Sequence, residues 1–452
     1  MSEHTSSTLS KYELVCGMEV HAELKTKSKM FCGCKNDPFR ASQPNIYTCP
    51  VCLGMPGGLP VANKKAIEWT IKLGLALGCK INLFSHFDRK NYFYPDLPKG
   101  YQISQYDQPF CIDGVVETDL GPVRIHRIHL EEDTAKLQHK TVDGQKVSLI
   151  DFNRSSVPLV EIVTEADIHS AEHAKAYTKK LRQIIRFLDI ADCDMEQGGM
   201  RLEANTSLRH PGETNLPQYK VEVKNINSFR FLEKAINFEI KRQSEILDAG
   251  EVPAQETRGW SDDKGQTFTQ RAKEDAEEYR YFPDPDLPPI RFEQKQIDEI
   301  KDSLPELPDK IIKRWFADFD VETKNSDLLI ESQDDAKWFE ELFVEAKKAG
   351  VQPNALANAV VNKKLIIAEP RQIAQTIKTF QQANQTDTVD EAELQKIIAE
   401  VIAANPDAVA QFKNGKTNVI GFFMGQVMRK SGKKLDVKQL NASILKTLSS
   451  GQ

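Results

Sequence analysis

From Leu14 to Leu24 every second residue is apolar, with Leu14, Cys16, Met18, Val20, Ala22 and Leu24 on one side and Glu13, Glu19, His21 and Glu23 among the others. Successive side chains of a strand point to opposite faces, so this stretch predicts a half-buried strand that displays Glu19 and His21 together. The period returns in 200–208: Met200, Leu202, Ala204, Thr206 and Leu208 read as inward, Arg201, Glu203, Asn205 and Ser207 as outward. KVEVKNINS repeats it, with Glu222 and Lys224 on the polar side. In 147–165 a β-branched run sets Glu161 between Leu159 and Val163, where an acid needs a partner. VRIHRIHLEED, 123–133, carries His126 and His129 and ends on Glu131, Glu132 and Asp133.

Between these strands the period lengthens. Residues 62–78 read as an amphipathic helix stopped by Gly78, 170–190 as a helix with Ser170 as its N-cap, and 229–249 as a helix bounded by Ser228 and Gly250. From about residue 291 strand patterns vanish and helix formers dominate; 386–404 predicts one helix and 408–448 two or three more, after the linker-like QQANQTDTVD of 381–390. The fold class is therefore α+β: an N-terminal domain, 1–290, with an antiparallel sheet and covering helices, then an all-α helical domain, 291–385, and a small all-α tail domain, 386–452.

His86–Phe110 carries what a core does not need. Phe87, Tyr92, Phe93, Tyr94 and Tyr101 surround Arg89, Lys90 and Lys99, with the amides of Asn91, Gln102 and Gln105 between them. Pro95 and Pro98 forbid a continuous helix, which predicts an ordered loop with polar groups held at fixed angles.

The length of 452 residues suits two or three domains, and 40% hydrophobic with 28% charged residues suits a chain with a packed core. No apolar run approaches a membrane span and the first residues carry no leader pattern, so the expected setting is the cytoplasm, with no membrane. There, four of the eight cysteines in a C-x-C and a C-x-x-C pair point to metal rather than disulfides. Cys32, Cys34, Cys49 and Cys52 on two turns suit a tetrahedral, closed, structural Zn2+.

The net charge of −6 gives no global nucleic-acid signal. One local excess stands out: from Ala408 to Leu435 there is no acid, but there are Lys413, Lys416, Arg429, Lys430, Lys433 and Lys434, a candidate contact for an RNA backbone. If the strands share one sheet, Glu19, His21, Glu132, Glu161, Glu203 and Glu222 converge on its polar floor. Oxygen donors with one imidazole suit Mg2+, the usual holder of nucleotide phosphates. No glycine-rich phosphate loop is evident.

The runs GMEVHAEL, CGC and CPVC, FDRKNYFYPDLPKGYQISQYD, RIHLEED, SLIDFNRSSVPLVEIV, KNINSFRF, QETRGW and EEYRYFPDPDLPP closely resemble the B-subunit family of the bacterial glutamine-dependent aspartyl/glutamyl-tRNA amidotransferases, over roughly residues 12–290. GKTNVIGFFMGQVMRKSGKK resembles the tail domain shared with small tRNA-linked proteins. The resemblance implies a ligase with a cradle-shaped catalytic domain: ATP and Mg2+ serve to phosphorylate the side-chain carboxylate of misacylated aspartyl- or glutamyl-tRNA, and ammonia then displaces phosphate. It also implies a heterotrimer in which a separate amidase chain, the A component, frees ammonia from glutamine, and a small third chain, the C component, completes the assembly. No Ser/Lys amidase signature is present, in keeping with a separate amidase chain.

By the same similarity Glu19, His21, Glu132 and Glu161 are the expected catalytic and Mg2+-holding residues, joined by Glu203, which stands where the family more often has Asp. Arg89, Lys90, Tyr92, Tyr94, Lys99, Tyr101, Gln102 and Gln105 are the expected substrate-binding wall, and the tail cations grip tRNA. Between about 358 and 392 the chain departs from the family by a shortened helical segment. The alternative from another class is a non-catalytic component that holds and presents tRNA, for which carboxylates facing RNA phosphates serve no purpose.

Overall fold

A computed structural model of the chain describes residues 11–272, 279–385, 390–414, 416, 418–433 and 435–450. It divides into two compact units, Met1–Arg314 with Asp327–Lys337, and Trp315–Ser326 with Trp338–Gln452.

Among the described residues the first unit carries sixteen strands: β1 (Glu13–Glu23), β2 (Lys80–Ile81), β3 (Phe84–Ser85), β4 (Asp88–Asn91), β5 (Tyr101–Ser104), β6 (Cys111–Val116), β7 (Val123–Glu132), β8 (Lys136–Val142), β9 (Gln145–Asp151), β10 (Pro158–Thr164), β11 (Met200–Arg209), β12 (Val221–Ile226), β13 (Glu256–Ser261), β14 (Gln266–Ala272), β15 (Phe282–Pro283) and β16 (Ile290–Arg291). Nine of them form one sheet in the order β14-β13-β12-β11-β1-β10-β7-β6-β2. β1 lies in its middle and its inward residues enter the core: Leu14, Cys16, Met18, Val20 and Ala22 are each at most 1% exposed.

The helices α1 (Lys64–Ala76), α2 (Ala171–Phe187) and α3 (Phe229–Asp248) contribute Ile71, Tyr177, Leu181, Leu232 and Ile236 to the same core. Ser170 caps α2 by accepting the His173 N–H at 3.0 Å, and Ser228 caps α3 by accepting that of Phe231 at 3.1 Å. The expected antiparallel sheet holds at every pairing except β12 with β13, which run parallel. The reason is local: α3 is the crossover between them, and a helical crossover returns the chain in the same direction. A smaller sheet, β15-β4-β5, occupies the stretch that the sequence predicts as a loop. The stretch gains two short strands because Phe282 and Pro283, far along the chain, pair with Arg89 and Asp88.

Beyond α4 (Gln294–Asp302) the chain is helical, in α5 (Pro308–Phe319), α6 (Thr323–Leu329), α7 (Gln333–Lys348), α8 (Pro353–Val361) and α9 (Ile373–Asn384). Four more follow: α10 (Glu391–Ala403), α11 (Pro406–Lys413), α12 (Val419–Ser431) and α13 (Val437–Ser450). Leu394, Ile398, Phe423, Val427, Leu440 and Ile444 give α10, α12 and α13 a core of their own. Among the described residues no helix is long and apolar enough to cross a membrane.

Candidate active site on the polar face of the sheet

Strand register decides which polar residues meet. His21 pairs across β1 with Glu161 on β10 and with Arg201 on β11, Glu161 pairs with His129 on β7, and Glu19 with Glu203. His21 Nε2 lies 3.3 Å from Glu161 Oε2 and 3.8 Å from Glu131 Oε1. His129 Nε2 approaches the same Glu161 oxygen at 3.2 Å. Next to this group Glu19, Glu203 and Glu222 each offer an oxygen within 4.8 Å of the others, as His21, Glu131 and Glu161 offer their own ligand atoms. Lys224 binds Glu203 at 2.9 Å and Glu222 at 3.3 Å, and Asn205 donates to Glu19 at 2.8 Å.

One residue of the expected ligand set stands apart from the others. Glu132 does not face His21; it accepts from Lys99 Nζ at 2.5 Å and from the Ile103 N–H at 3.0 Å, and the acid beside His21 is Glu131. Neighbouring residues of a strand point opposite ways, so only one of two consecutive acids reaches a given face. Of the others, His21 and Glu161 fall in one group with Glu131, and Glu19 and Glu203 in a second group with Glu222.

Burial and charge oppose each other here. Burial pushes the Glu161 carboxyl up, but the imidazoles of His129 and His21 outweigh it and hold it well below the usual range. Burial also acts to lower His21, yet the Glu161 hydrogen bond and the charges of Glu161, Glu203 and Glu131 raise it to about 9. Glu19 is pushed up, first by burial and then by Glu161, Glu203 and Glu222. His21 Nδ1 is buried without a hydrogen-bond partner. An oxygen-rich, electron-rich set with an orphaned imidazole nitrogen fits a hard divalent cation.

The aromatic stretch borders these acids through Lys90. Its ammonium lies 4.7 Å from the Tyr279 ring centre and 5.9 Å from that of Tyr92. Burial disfavours its charge, but Glu131, Tyr281 and Glu161 more than compensate. Tyr281 stacks on Tyr106 with ring centres 4.4 Å apart. Tyr279 and Tyr281 come from EEYRYFPDP, which proline content alone reads as a domain end; its run of three rings was the available signal.

Several expected wall residues are occupied elsewhere. Arg89 binds Asp284 at 2.8 Å and Asp286 at 2.9 Å and lies over Tyr101 at 4.2 Å. Gln102 donates to the Glu132 carbonyl, while Gln105 donates to Ser85 and accepts the Leu130 N–H, so both brace β5. Tyr94 is 60% exposed.

The chain matches the family described as "GatB/GatE catalytic domain" over residues 14–298, and "GatB domain" over 308–448. It is 43% identical to the B subunit of the aspartyl/glutamyl-tRNA(Asn/Gln) amidotransferase of Thermodesulfovibrio yellowstonii, covering 97% of this chain and 99% of the relative. The B subunit of the same enzyme from Thermomicrobium roseum is 44% identical over 93% and 95% of the two chains, and that from Clostridium beijerinckii 42% over 97% and 99%. The chain belongs to the GatB family. It thus stands among the B subunits of tRNA-dependent amidotransferases.

This GatB-family chain gathers Cys32, Cys34, Cys49 and Cys52 so that their sulfurs lie within 4.8 Å of one another. Lys29, fully buried, sets its ammonium 3.8 Å from Cys52 Sγ and donates to the Phe152 carbonyl at 3.1 Å. The Cys52 thiol is lowered to about 5, first by its hydrogen bond with Cys32 and, against burial, by Lys29. Four converging sulfurs beside a buried cation fit a thiolate-bound metal. The knuckle is tied to the strand that carries Glu161: Ser155 donates to the Cys52 carbonyl at 2.9 Å, and the Met30 N–H to that of Ser156 at 2.7 Å.

In the second unit Arg429 and Lys430 occupy the last turn of α12, where Lys430 pairs with Glu400 at 2.7 Å, and Lys433 approaches Glu393 at 3.6 Å. Lys413 ends α11 and Lys416 follows it. Lys434 lies outside the described residues.

Proposed function

We propose that this chain is the B component of a glutamine-dependent tRNA amidotransferase and performs its kinase half-reaction. The side-chain carboxylate of aspartyl-tRNA(Asn) or glutamyl-tRNA(Gln) attacks the γ-phosphorus of ATP, the bond to the bridging oxygen breaks, and ADP leaves. Ammonia then attacks the acyl carbon, phosphate departs with the C–O bond electrons, and the nitrogen sheds a proton to give the amide. A carboxylate is a poor acyl donor, so installing phosphate as leaving group is what makes the second step feasible.

The observation that carries the reading is two groups of ligand atoms that the strand register sets on one face, His21 with Glu131 and Glu161, and Glu19 with Glu203 and Glu222. These residues would hold Mg2+, which when bound neutralises the phosphate oxygens as charge shifts toward ADP. Lys90, kept protonated by the charges of Glu131 and Glu161, presents a fixed positive charge to a phosphate at the edge of that floor. Tyr92 and Tyr94 would stack on the terminal adenosine.

The remaining parts follow the same assignment. Zn2+ on Cys32, Cys34, Cys49 and Cys52 would serve folding. Residues 386–452 would grip the tRNA body through Lys413, Lys416, Arg429, Lys430, Lys433 and Lys434. The amidase chain and the small third chain would complete a cytoplasmic heterotrimer.

The test is co-expression with those two chains, followed by ADP release and amide formation with aspartyl-tRNA and with glutamyl-tRNA in the presence of glutamine and Mg2+. Aminoacyl-tRNA-dependent ADP release that disappears in Glu161→Gln is the expected result. Its absence from the wild-type complex would leave tRNA presentation as the function.

A further inference from the structure

Arg201 is an outward cation of β11 for which neither the sequence nor the kinase half-reaction above supplies a role. It is the β11 partner of His21 in the ladder, and from there its guanidinium crosses toward β7 to close on Asp133, Nη2 to Oδ2 at 2.7 Å and Nη1 to Oδ1 at 3.2 Å. Asp133 is 4% exposed and is met by a second guanidinium, Arg154, whose Nε lies 3.7 Å from Oδ2. Arg154 is spent on the carbonyls of Thr134 and Ala135. Arg201 is not. Asp133 takes two of its N–H groups, the others meet no acceptor among the described residues, and a third of its side chain, 32%, stays exposed.

The neighbouring cations are committed. Lys224 is shared between Glu203 and Glu222, and Lys90 lies beneath Tyr279 with Glu131 and Glu161 beside it. A substrate carboxylate approaching this face meets Glu19, Glu131, Glu161, Glu203 and Glu222. It is repelled unless a fixed cation at the rim receives it. A guanidinium fixed by Asp133, with the charges of Glu23 and Glu131 also near and a third of its side chain exposed, keeps N–H groups in the planar arrangement that a further carboxylate accepts.

We propose that Arg201, fixed by Asp133, receives the side-chain carboxylate of the aminoacyl group and so sets the preference for an acidic over an amidated aminoacyl-tRNA. This rests on the amidotransferase reading, and it gives the site a means of product release: the amide no longer carries the charge that Arg201 holds.

The test measures binding of aspartyl-tRNA and of asparaginyl-tRNA by the assembled complex, without ATP and glutamine, for wild type, Arg201→Lys and Arg201→Gln. The wild type should favour the aspartyl form by about tenfold or more, the worth of one charge-assisted hydrogen bond. Arg201→Gln should bring the ratio to near one, and Arg201→Lys, which keeps the charge without the fork, should fall between. An unchanged ratio in Arg201→Gln, no preference in wild type, or a loss confined to ATP affinity would each overturn the proposal. Melting curves identify a variant that fails to fold, in which case the Arg201→Lys ratio decides. Because no turnover is needed, a wild type that prefers aspartyl-tRNA yet never releases ADP would sink the kinase reading and leave Arg201 standing.

Discussion

Glu161 Oε2 lies 3.3 Å from His21 Nε2, on adjacent strands whose register makes the two residues direct partners. The contact sets a pH dependence. His21 is raised to about 9, above the ordinary value of about 6.5. A group whose folded pKa is raised contributes stability fully present below the unfolded value and lost as pH rises through the folded one. In chelator-treated protein Tm should therefore fall between about pH 6.5 and 9, and Glu161→Gln, which removes the charge facing the imidazole, should flatten that slope. A wild-type Tm that stays level across this window would contradict the assigned charge state.

The neighbours Glu131 and Glu132 should separate by phenotype. Glu131→Gln removes an oxygen donor beside His21 and should weaken Mg2+ activation about 10-fold to 100-fold with little change in Tm. Glu132→Gln loosens the hold on Lys99 and on the Ile103 N–H, so its first effect should be on stability, by about 1–3 kcal/mol. Titrating Mg2+ against activity and melting each variant distinguishes them. Reversed phenotypes would return Glu132 to the ligand set.

Lys90 and Arg89 adjoin in sequence yet should fail differently. Lys90→Ala should lower kcat/KM for aminoacyl-tRNA by about 100-fold while the protein still folds. Arg89→Ala leaves Asp284, whose side chain is fully buried, without its partner, which should cost about 3–5 kcal/mol. Urea unfolding beside steady-state kinetics tests both. Full activity in Lys90→Ala would take that residue out of the site.

Removing metal from the cysteine knuckle should lower Tm, because a thiolate site binds only the folded chain. Lys29→Met should weaken Zn2+ retention by about 10-fold to 100-fold against a competing chelator. Metal analysis of the purified protein, followed by competition, measures this. A wild type that holds no Zn2+ when grown with it would refute the assignment.

Much of this was legible in the residues. Alternation through β1 placed Glu19 and His21 on one face and the apolar side in the core, and Ser170 and Ser228 marked their helices, because those features depend on local periodicity. The choice between Glu131 and Glu132 was not legible. Two consecutive acids have no phase of their own; pairing of Glu131 with Leu159 on β10 supplies it. The parallel turn of β13 beside β12, the strand that Phe282 and Pro283 add to β4, and the reach of Arg201 to Asp133 likewise arise between segments far apart in the chain.

The ties from the cysteine knuckle to Ser155 and Ser156 sit only a few residues ahead of Glu161, on the lead into its strand. Whatever shifts the knuckle therefore tugs on the approach to Glu161, and the fold's cysteine corner and its acidic floor cannot move independently.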